Sequence, residues 1–218
     1  MYTNSYLCDL KLIAVHISII DYQCGNLGSI QNMIRKIGQK AIITSDPEII
    51  EKSSHIILPG VGSFDFGMNQ LNKLNLTPVL NKKKEEGVSI MGVCLGAQLM
   101  CKGSEEGKLP GLGFVDAYVK KFPVEVNGIR KKVPHMGWDH VSPVKDSKIF
   151  SELRDARFYF VHSYYIHCEN QSDILSINSY GVDFHSAYER DNVLGLQFHP
   201  EKSHKFGKQI YKNFIDLY

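Results

Sequence analysis

Val88-Ser-Ile-Met-Gly-Val-Cys-Leu-Gly96 joins a short apolar run to a glycine-flanked cysteine. Val88-Ser-Ile-Met91 reads as a buried strand, and Gly92-Val-Cys-Leu-Gly96 has the G-x-nucleophile-x-G spacing of a strand-to-helix elbow. A thiol stands where hydrolases of the α/β type often carry serine. One glycine lets the chain turn where a Cβ would clash, and the other lets the next helix pack closely. The N–H of Leu95 then lies near a helix start, where it can face a developing oxyanion. The same helix end is expected to lower the Cys94 thiol pKa. The pentapeptide also fits an inert buried cysteine in a glycine-rich turn, so a catalytic reading needs a base and a group to orient it.

Upstream of the elbow the chain alternates between strand and helix patterns. His16 to Ile20 reads as a strand running into a turn at Asp21-Tyr-Gln-Cys-Gly-Asn26, and a helix follows over Leu27 to Ile37 with Gly38 as its stop. Ala41 to Thr44 is a strand, and Asp46-Pro47 opens a short helix by a cap-then-proline pair. His55 to Leu58 is a buried strand, Pro59-Gly-Val-Gly62 a tight loop, and helices follow to about Leu74 and from Leu76 to Gly87. Such alternation predicts a doubly wound, mostly parallel sheet with helices on both faces. The second half changes character, with short aromatic or β-branched strands at Val115–Phe122, Val133–His135, Arg157–Tyr165, Ile174–Ser179, Phe184–Glu189 and Val193–Gln197. A last helix spans about Ser203 to Leu217. The reading is α/β: residues 1–14 as a flexible lead, then one domain over residues 15–218 with its β-rich half packed on the sheet.

Bulk composition narrows the function classes. The 218 residues, 43% hydrophobic, can fill a sizeable core. A net charge of +2 gives no broad electrostatic case for nucleic acid. Five cysteines without regular spacing argue against a disulfide framework and for a reducing cytoplasm. No C-x-x-C metal pair appears, no cofactor is expected, and the longest apolar stretch near the start, Leu12 to Ile20, is too short to span a membrane and lacks a signal-peptide pattern.

Gln197-Phe-His-Pro-Glu201 follows a strand and precedes the final helix. On extended backbone, held so by Pro200, residues i and i+2 share a face, so the Glu201 carboxylate can meet the His199 imidazole. A carboxylate there fixes the tautomer and supports an imidazolium. A surface His-Pro-Glu turn would look the same, but His199 and Glu201 supply what Cys94 lacks, and both motifs sit at strand C-termini. Pro59-Gly-Val-Gly62 is either a tight turn or a loop that directs backbone N–H groups at an anion.

Leu58-Pro-Gly-Val-Gly62, Gly92-Val-Cys-Leu-Gly-Ala-Gln98 and Gln197-Phe-His-Pro-Glu-Lys-Ser203 together resemble the triad-type, class I glutamine amidotransferases, which have a flavodoxin-like fold. More narrowly, the chain from residue 16 onward resembles the glutaminase subunits of imidazole glycerol phosphate synthase. Asp21-Tyr-Gln-Cys-Gly-Asn26, Ser104-Glu-Glu-Gly107, Pro134-His-Met-Gly-Trp138 and Tyr159-Phe-Val-His-Ser-Tyr-Tyr165 carry that narrower likeness. The resemblance implies hydrolysis of L-glutamine through a Cys94 thioester, with His199 moving protons and Glu201 orienting it. It implies an oxyanion hole from the N–H of Leu95 and one of Val61 or Gly62, incompletely formed at rest. Gly60, Gln98, Ser163 and Tyr164 match positions that hold glutamine, although Gln98 also fits an ordinary helix residue and Tyr164 a packing aromatic. Ammonia would pass to a synthase (cyclase) subunit in a heterodimer that makes imidazole glycerol phosphate and AICAR in histidine biosynthesis. Pro134, His135, Met136, Trp138 and Lys202 match the side toward that partner, though a Trp and a Met on an irregular segment also fit a core. His162 reads as a structural histidine, and Cys8, Cys24, Cys101 and Cys168 as bystanders.

Gln23-Cys24 and Ala97 depart from the family's usual residues without touching Cys94, His199 or Glu201. A paralogous branch supplies ammonia to sugar amidotransferases of surface-polysaccharide pathways, and Phe64-Asp-Phe-Gly-Met68 and Glu201-Lys-Ser-His-Lys-Phe-Gly207 are compatible with it. A non-catalytic regulatory module on this scaffold is a further alternative, opposed by the complete Cys94, His199 and Glu201 set. A cysteine protease of similar fold is disfavoured by the narrow likeness.

Overall fold

Continuous apolar runs form the centre of the molecule because both of their faces are covered. The computed structural model describes residues 16–218, so the expected lead over residues 1–14, and Cys8 with it, lies outside the described residues. In chain order the first half is β1 (Ile17–Ile20), α1 (Leu27–Lys36), β2 (Ala41–Thr44), α2 (Pro47–Glu51), β3 (His55–Gly60), α3 (Phe64–Lys73), α4 (Leu76–Glu85), β4 (Ser89–Cys94) and α5 (Leu95–Leu99). The second half is β5 (Gly103–Ser104), β6 (Ala117–Lys121), β7 (Glu125–Val126), β8 (Ile129–Arg130), β9 (His135–His140), β10 (Arg157–His162), β11 (Tyr164–Cys168), β12 (Ile174–Ser179), β13 (Asp183–Arg190), β14 (Val193–Leu196) and α6 (His204–Leu217).

Seven strands make the main sheet in the order β2-β1-β3-β4-β14-β13-β12. The first five run parallel, β13 runs antiparallel to β14, and β12 runs antiparallel to β13. Every residue of β3 and β4 is buried. Their side chains alternate between two cores: Ile56, Leu58 and Ile90 pack with α3, α4 and α5, while Ile57, Met91 and Val93 pack with α1 and α6. Each such side chain contributes roughly 1.5–3 kcal/mol by leaving water, which accounts for strands that carry apolar residues on both faces rather than alternating. At the short helix α2, Asp46 accepts from the Glu48 N–H at 2.9 Å and Pro47 takes the first turn, as the cap-then-proline pair predicts.

Two expectations need correction. Pro134-His-Met-Gly-Trp138 is not an irregular segment: His135 to His140 is strand β9, paired in register with Arg157 to His162. The expected single strand Arg157–Tyr165 is two. It breaks at Ser163, where the chain leaves its pairing with β9 and β11 pairs instead with β6. The break lets consecutive residues serve two small sheets that overhang the carboxyl ends of β3 and β4.

Candidate active site

Cys94 ends β4 and caps α5 with φ 53° and ψ −109°, a strained geometry for a residue with a Cβ. The flanking glycines allow it by close approach rather than by positive φ. A Cβ on Gly92 would stand 2.6 Å from the Ala97 nitrogen, and one on Gly96 only 1.7 Å from the Leu58 carbonyl oxygen. Helix α5 therefore starts flat against β3, and the thiol is held at the sheet's carboxyl edge with Gly60 of β3 directly opposite.

β14 lies beside β4, so the segment after Leu196 arrives next to Cys94. The His199 N–H donates to the Tyr159 carbonyl at 2.9 Å. Ser203 closes the turn: its hydroxyl donates to the His199 carbonyl at 2.6 Å and accepts from the Tyr159 N–H at 3.0 Å. His199 Nδ1 donates to Glu201 Oε1 at 2.7 Å. The contact is made differently from the expected one, because Pro200 to Lys202 is a 3-10 turn and not extended chain. The turn still brings carboxylate and imidazole together, and both are nearly covered, with side chains 8% and 2% exposed.

With Nδ1–H committed to a carboxylate, the neutral ring presents its lone pair at Nε2. That nitrogen is buried and meets hydrogen-bond geometry with no protein group. Burial disfavours the imidazolium, but the adjacent Cys94 and then Glu201 outweigh it and raise His199 from 6.5 to about 10. The arrangement stabilises a proton on His199 beside the Cys94 sulfur.

A cleft of about 420 Å³ opens over Cys94, a size usual for small-molecule sites. Val61, Gly62, Leu95, Gln98, Ser163 and Tyr164 line it, as do Pro134 and Lys202. Gly60 sits just behind, where a Cβ would stand 2.0 Å from the Tyr22 hydroxyl. Gln98 is no ordinary helix residue: its amide donates to the Tyr164 carbonyl at 3.0 Å and to Gln197 Oε1 at 3.1 Å. The fold adds two polar residues to which motif spacing assigns no role. Glu106 lines the cleft and accepts the Phe64 N–H at 2.8 Å, its carboxyl raised by burial. Gln197 is wholly buried beside the sulfur. A larger groove, about 950 Å³, lies at the amino end of β4. It is lined by no cysteine or histidine, and its Ser147 and Tyr218 hydroxyls are both bonded to Glu189.

The residues expected to face a partner divide. Met136 and Trp138 are 60% and 45% exposed and share the outer side of β9, and Pro134 and Lys202 are exposed as well. His135 does not belong with them. Strand alternation turns it inward, where it stacks on Phe160 and Tyr180. His162, as expected, is a satisfied interior histidine. Its Nδ1 donates to the Tyr164 carbonyl at 2.8 Å and its Nε2 accepts from His135 Nδ1 at 3.2 Å.

Burial drives His162 down to about 3, against 6.5 in the unfolded chain. A depressed histidine adds stability that is complete above 6.5 and is lost as pH falls toward the folded value. Between pH 6.5 and pH 4 this one residue should remove roughly 3 kcal/mol. Denaturant titrations across that range should show the loss, and a His162→Gln variant should show a smaller slope.

This geometry fits a named family. The chain belongs to the class I glutamine amidotransferases, whose family model matches residues 18–217. Within that class it stands with the HisH proteins. It is 51% identical over 201 residues to "Imidazole glycerol phosphate synthase subunit HisH 2" of Methanococcus maripaludis, covering 91% of this chain and 98% of that one. It is 47% identical to the protein of the same name in Pseudomonas aeruginosa, covering 92% and 99%. A HisH subunit from Leptospira interrogans is 38% identical, covering 92% and 100%. Among solved structures, a glutamine amidotransferase from Thermotoga maritima shares the fold with a TM-score of 0.62 at 18% identity, covering 93% of this chain and 83% of that one. No helix among the described residues is long and apolar enough to cross a membrane.

Proposed function

We propose that this chain is the glutamine-hydrolysing subunit of an imidazole glycerol phosphate synthase and passes the ammonia to a cyclase subunit. The observation that carries the chemistry is the His199 imidazole, fixed by Glu201 at 2.7 Å and presenting Nε2 beside Cys94 on the cleft floor. Cys94 gives its proton to His199 and attacks the side-chain amide carbon of glutamine. The oxyanion is received by the N–H of Leu95 and one from Val61 or Gly62, whose φ of 119° suits a peptide that must turn. His199 protonates the departing nitrogen, ammonia leaves, and a γ-glutamyl thioester remains. His199 then takes a proton from water, hydroxide adds to the thioester, and glutamate departs as sulfur is released. We assign the ammonium and carboxylate ends of glutamine to Glu106 and to the backbone at Ser163 and Tyr164, because all three residues line the cleft with Cys94.

Support for a cyclase partner comes from the HisH likeness and from the exposed strip Met136, Trp138 and Lys202 beside the cleft mouth. Purified with a cyclase subunit, the chain should release glutamate slowly without acceptor and about a hundredfold or more faster with the cyclase substrate bound. Full activity of the free subunit would contradict the coupling. A second reading has one observation in its favour. The relatives at 51% and 47% identity are both named HisH 2, whereas HisH relatives without a number stand at 38–41%. A sugar amidotransferase partner is therefore the other arm of the assay, and the acceptor that accelerates glutaminase identifies the pathway.

A further inference from the structure

Gln197 is buried with no exposed surface, and its Nε2 lies 3.9 Å from the Cys94 sulfur. The orientation of its amide follows from its neighbours rather than from choice. The Tyr164 carbonyl can only accept, so the Gln98 group that meets it at 3.0 Å must be the NH2. The second hydrogen of that NH2 points to the Gln197 side chain at 3.1 Å, which must therefore present its oxygen. The Gln197 NH2 is left facing sulfur. The far end of the line is also anchored, because His162 Nδ1–H donates to the same Tyr164 carbonyl at 2.8 Å.

We propose that Gln197 is a catalytic residue of this site, whose side-chain N–H donates to the Cys94 thiolate before attack and again when that thiolate is expelled from the acyl-enzyme. The proposal rests on Cys94 being the glutaminase nucleophile. Gln197 keeps both its protons throughout. In the first step the thiol proton moves to His199, and the new sulfur lone pair is received by the Gln197 N–H. As the carbon–sulfur bond forms, charge passes to the carbonyl oxygen and the N–H···S bond weakens. As that bond breaks in hydrolysis, charge returns to sulfur and the N–H receives it again. The imidazolium of His199, adjacent to the same sulfur, offers that charge a second donor. Other titratable groups around the sulfur are Tyr22 from the β1–α1 turn, Glu106, His162 and Lys202 on the cleft wall, and Glu201 behind His199.

The test reads the sulfur without glutamine. The pH dependence of Cys94 alkylation by iodoacetamide is measured in the full chain and in Gln197→Met, which keeps the bulk and removes the donor. The expected result is a midpoint about one pH unit higher, with kcat for glutamine lowered about tenfold. An unchanged midpoint in the folded variant overturns the proposal, whatever happens to kcat, because a merely structural role leaves the thiol's ionisation alone. Should Gln197→Met fail to fold, Gln98→Met takes its place, since it frees the Gln197 amide to turn away. A raised midpoint there supports the proposal and an unchanged one overturns it. Wild-type turnover of glutamine is recorded alongside, so that failure of the glutaminase reading appears as missing turnover and not as a missing shift.

Discussion

Cys94→Ala is expected to lower glutamine hydrolysis by about ten-thousandfold or more, because no other group can form the thioester. The remaining cysteines among the described residues are poor substitutes. Cys24, Cys101 and Cys168 are buried, and burial raises all three thiols, Cys168 to about 12. The substitution should cost little stability. It removes one atom from the floor of an open cleft, leaves the close contacts of Gly92 and Gly96 untouched, and keeps a Cβ at the same strained φ. Circular dichroism and the thermal midpoint should therefore match the parent within a few degrees, and binding to a purified cyclase subunit should persist. Glutamate release at the parent's rate would show that the sulfur is not the nucleophile.

Glu201→Gln is expected to lower kcat by about a thousandfold or more. The carboxylate accepts from Nδ1 at 2.7 Å and so directs the lone pair at Nε2 toward Cys94. A glutamine amide can donate as well as accept, which lets the ring take the opposite tautomer and close its lone pair off from the thiol. The charge matters too. Glu201 is one of the groups that lift His199 to about 10 against the burial that opposes it. A raised histidine pKa stabilises the fold fully below 6.5 and loses that contribution as pH rises through the folded value. In Glu201→Gln the imidazolium should be lost at lower pH, and both the alkaline limb of the rate profile and the alkaline loss of stability should begin earlier. An alkaline limb unmoved from the parent's would mean that Glu201 does not act through His199.

The parts of this molecule that could be read from the chain are those in which neighbours in sequence decide the outcome. Ile56 to Leu58 and Ile90 to Met91 are apolar at consecutive positions because both faces of β3 and β4 are covered, and that signal is local. Asp46-Pro47 announces its helix by cap chemistry alone. The elbow is legible for the same reason, since Gly92 and Gly96 are required by contacts that any strand–turn–helix of this spacing must make. Strand β9 was not legible: its alternation is interrupted by Gly137, and its partner, β10, arrives only after Arg157. The break at Ser163 was hidden inside an unbroken aromatic run, because it depends on which neighbouring strand each half can pair with. His135 shows the cost of missing a strand. A residue grouped with Trp138 in one motif points inward once alternation is imposed.

At the site, sequence spacing placed Cys94, His199 and Glu201 correctly near one another, but by a route the chain does not take. The 3-10 turn at Pro200 achieves what an extended segment was expected to do. Gln197 and Glu106 drew no role because their significance lies in partners far away in sequence: Gln98, 99 positions from Gln197, and the Phe64 N–H, 42 positions from Glu106. No period or motif spacing encodes such a meeting. Only the packing of β4, β14 and the Ser163 break around one cleft brings these groups together.

Cleavage of glutamine through sulfur at residue 94 requires a γ-glutamyl thioester on that residue during turnover. The most direct measurement is an acid quench of the cyclase-bound enzyme during turnover of isotopically labelled glutamine, followed by peptide mass spectrometry. The expected result is one γ-glutamyl group on the peptide that carries Cys94, labile to hydroxylamine and absent from Cys94→Ala. Turnover proceeding with no label on that peptide, or with label carried on another residue, would contradict it.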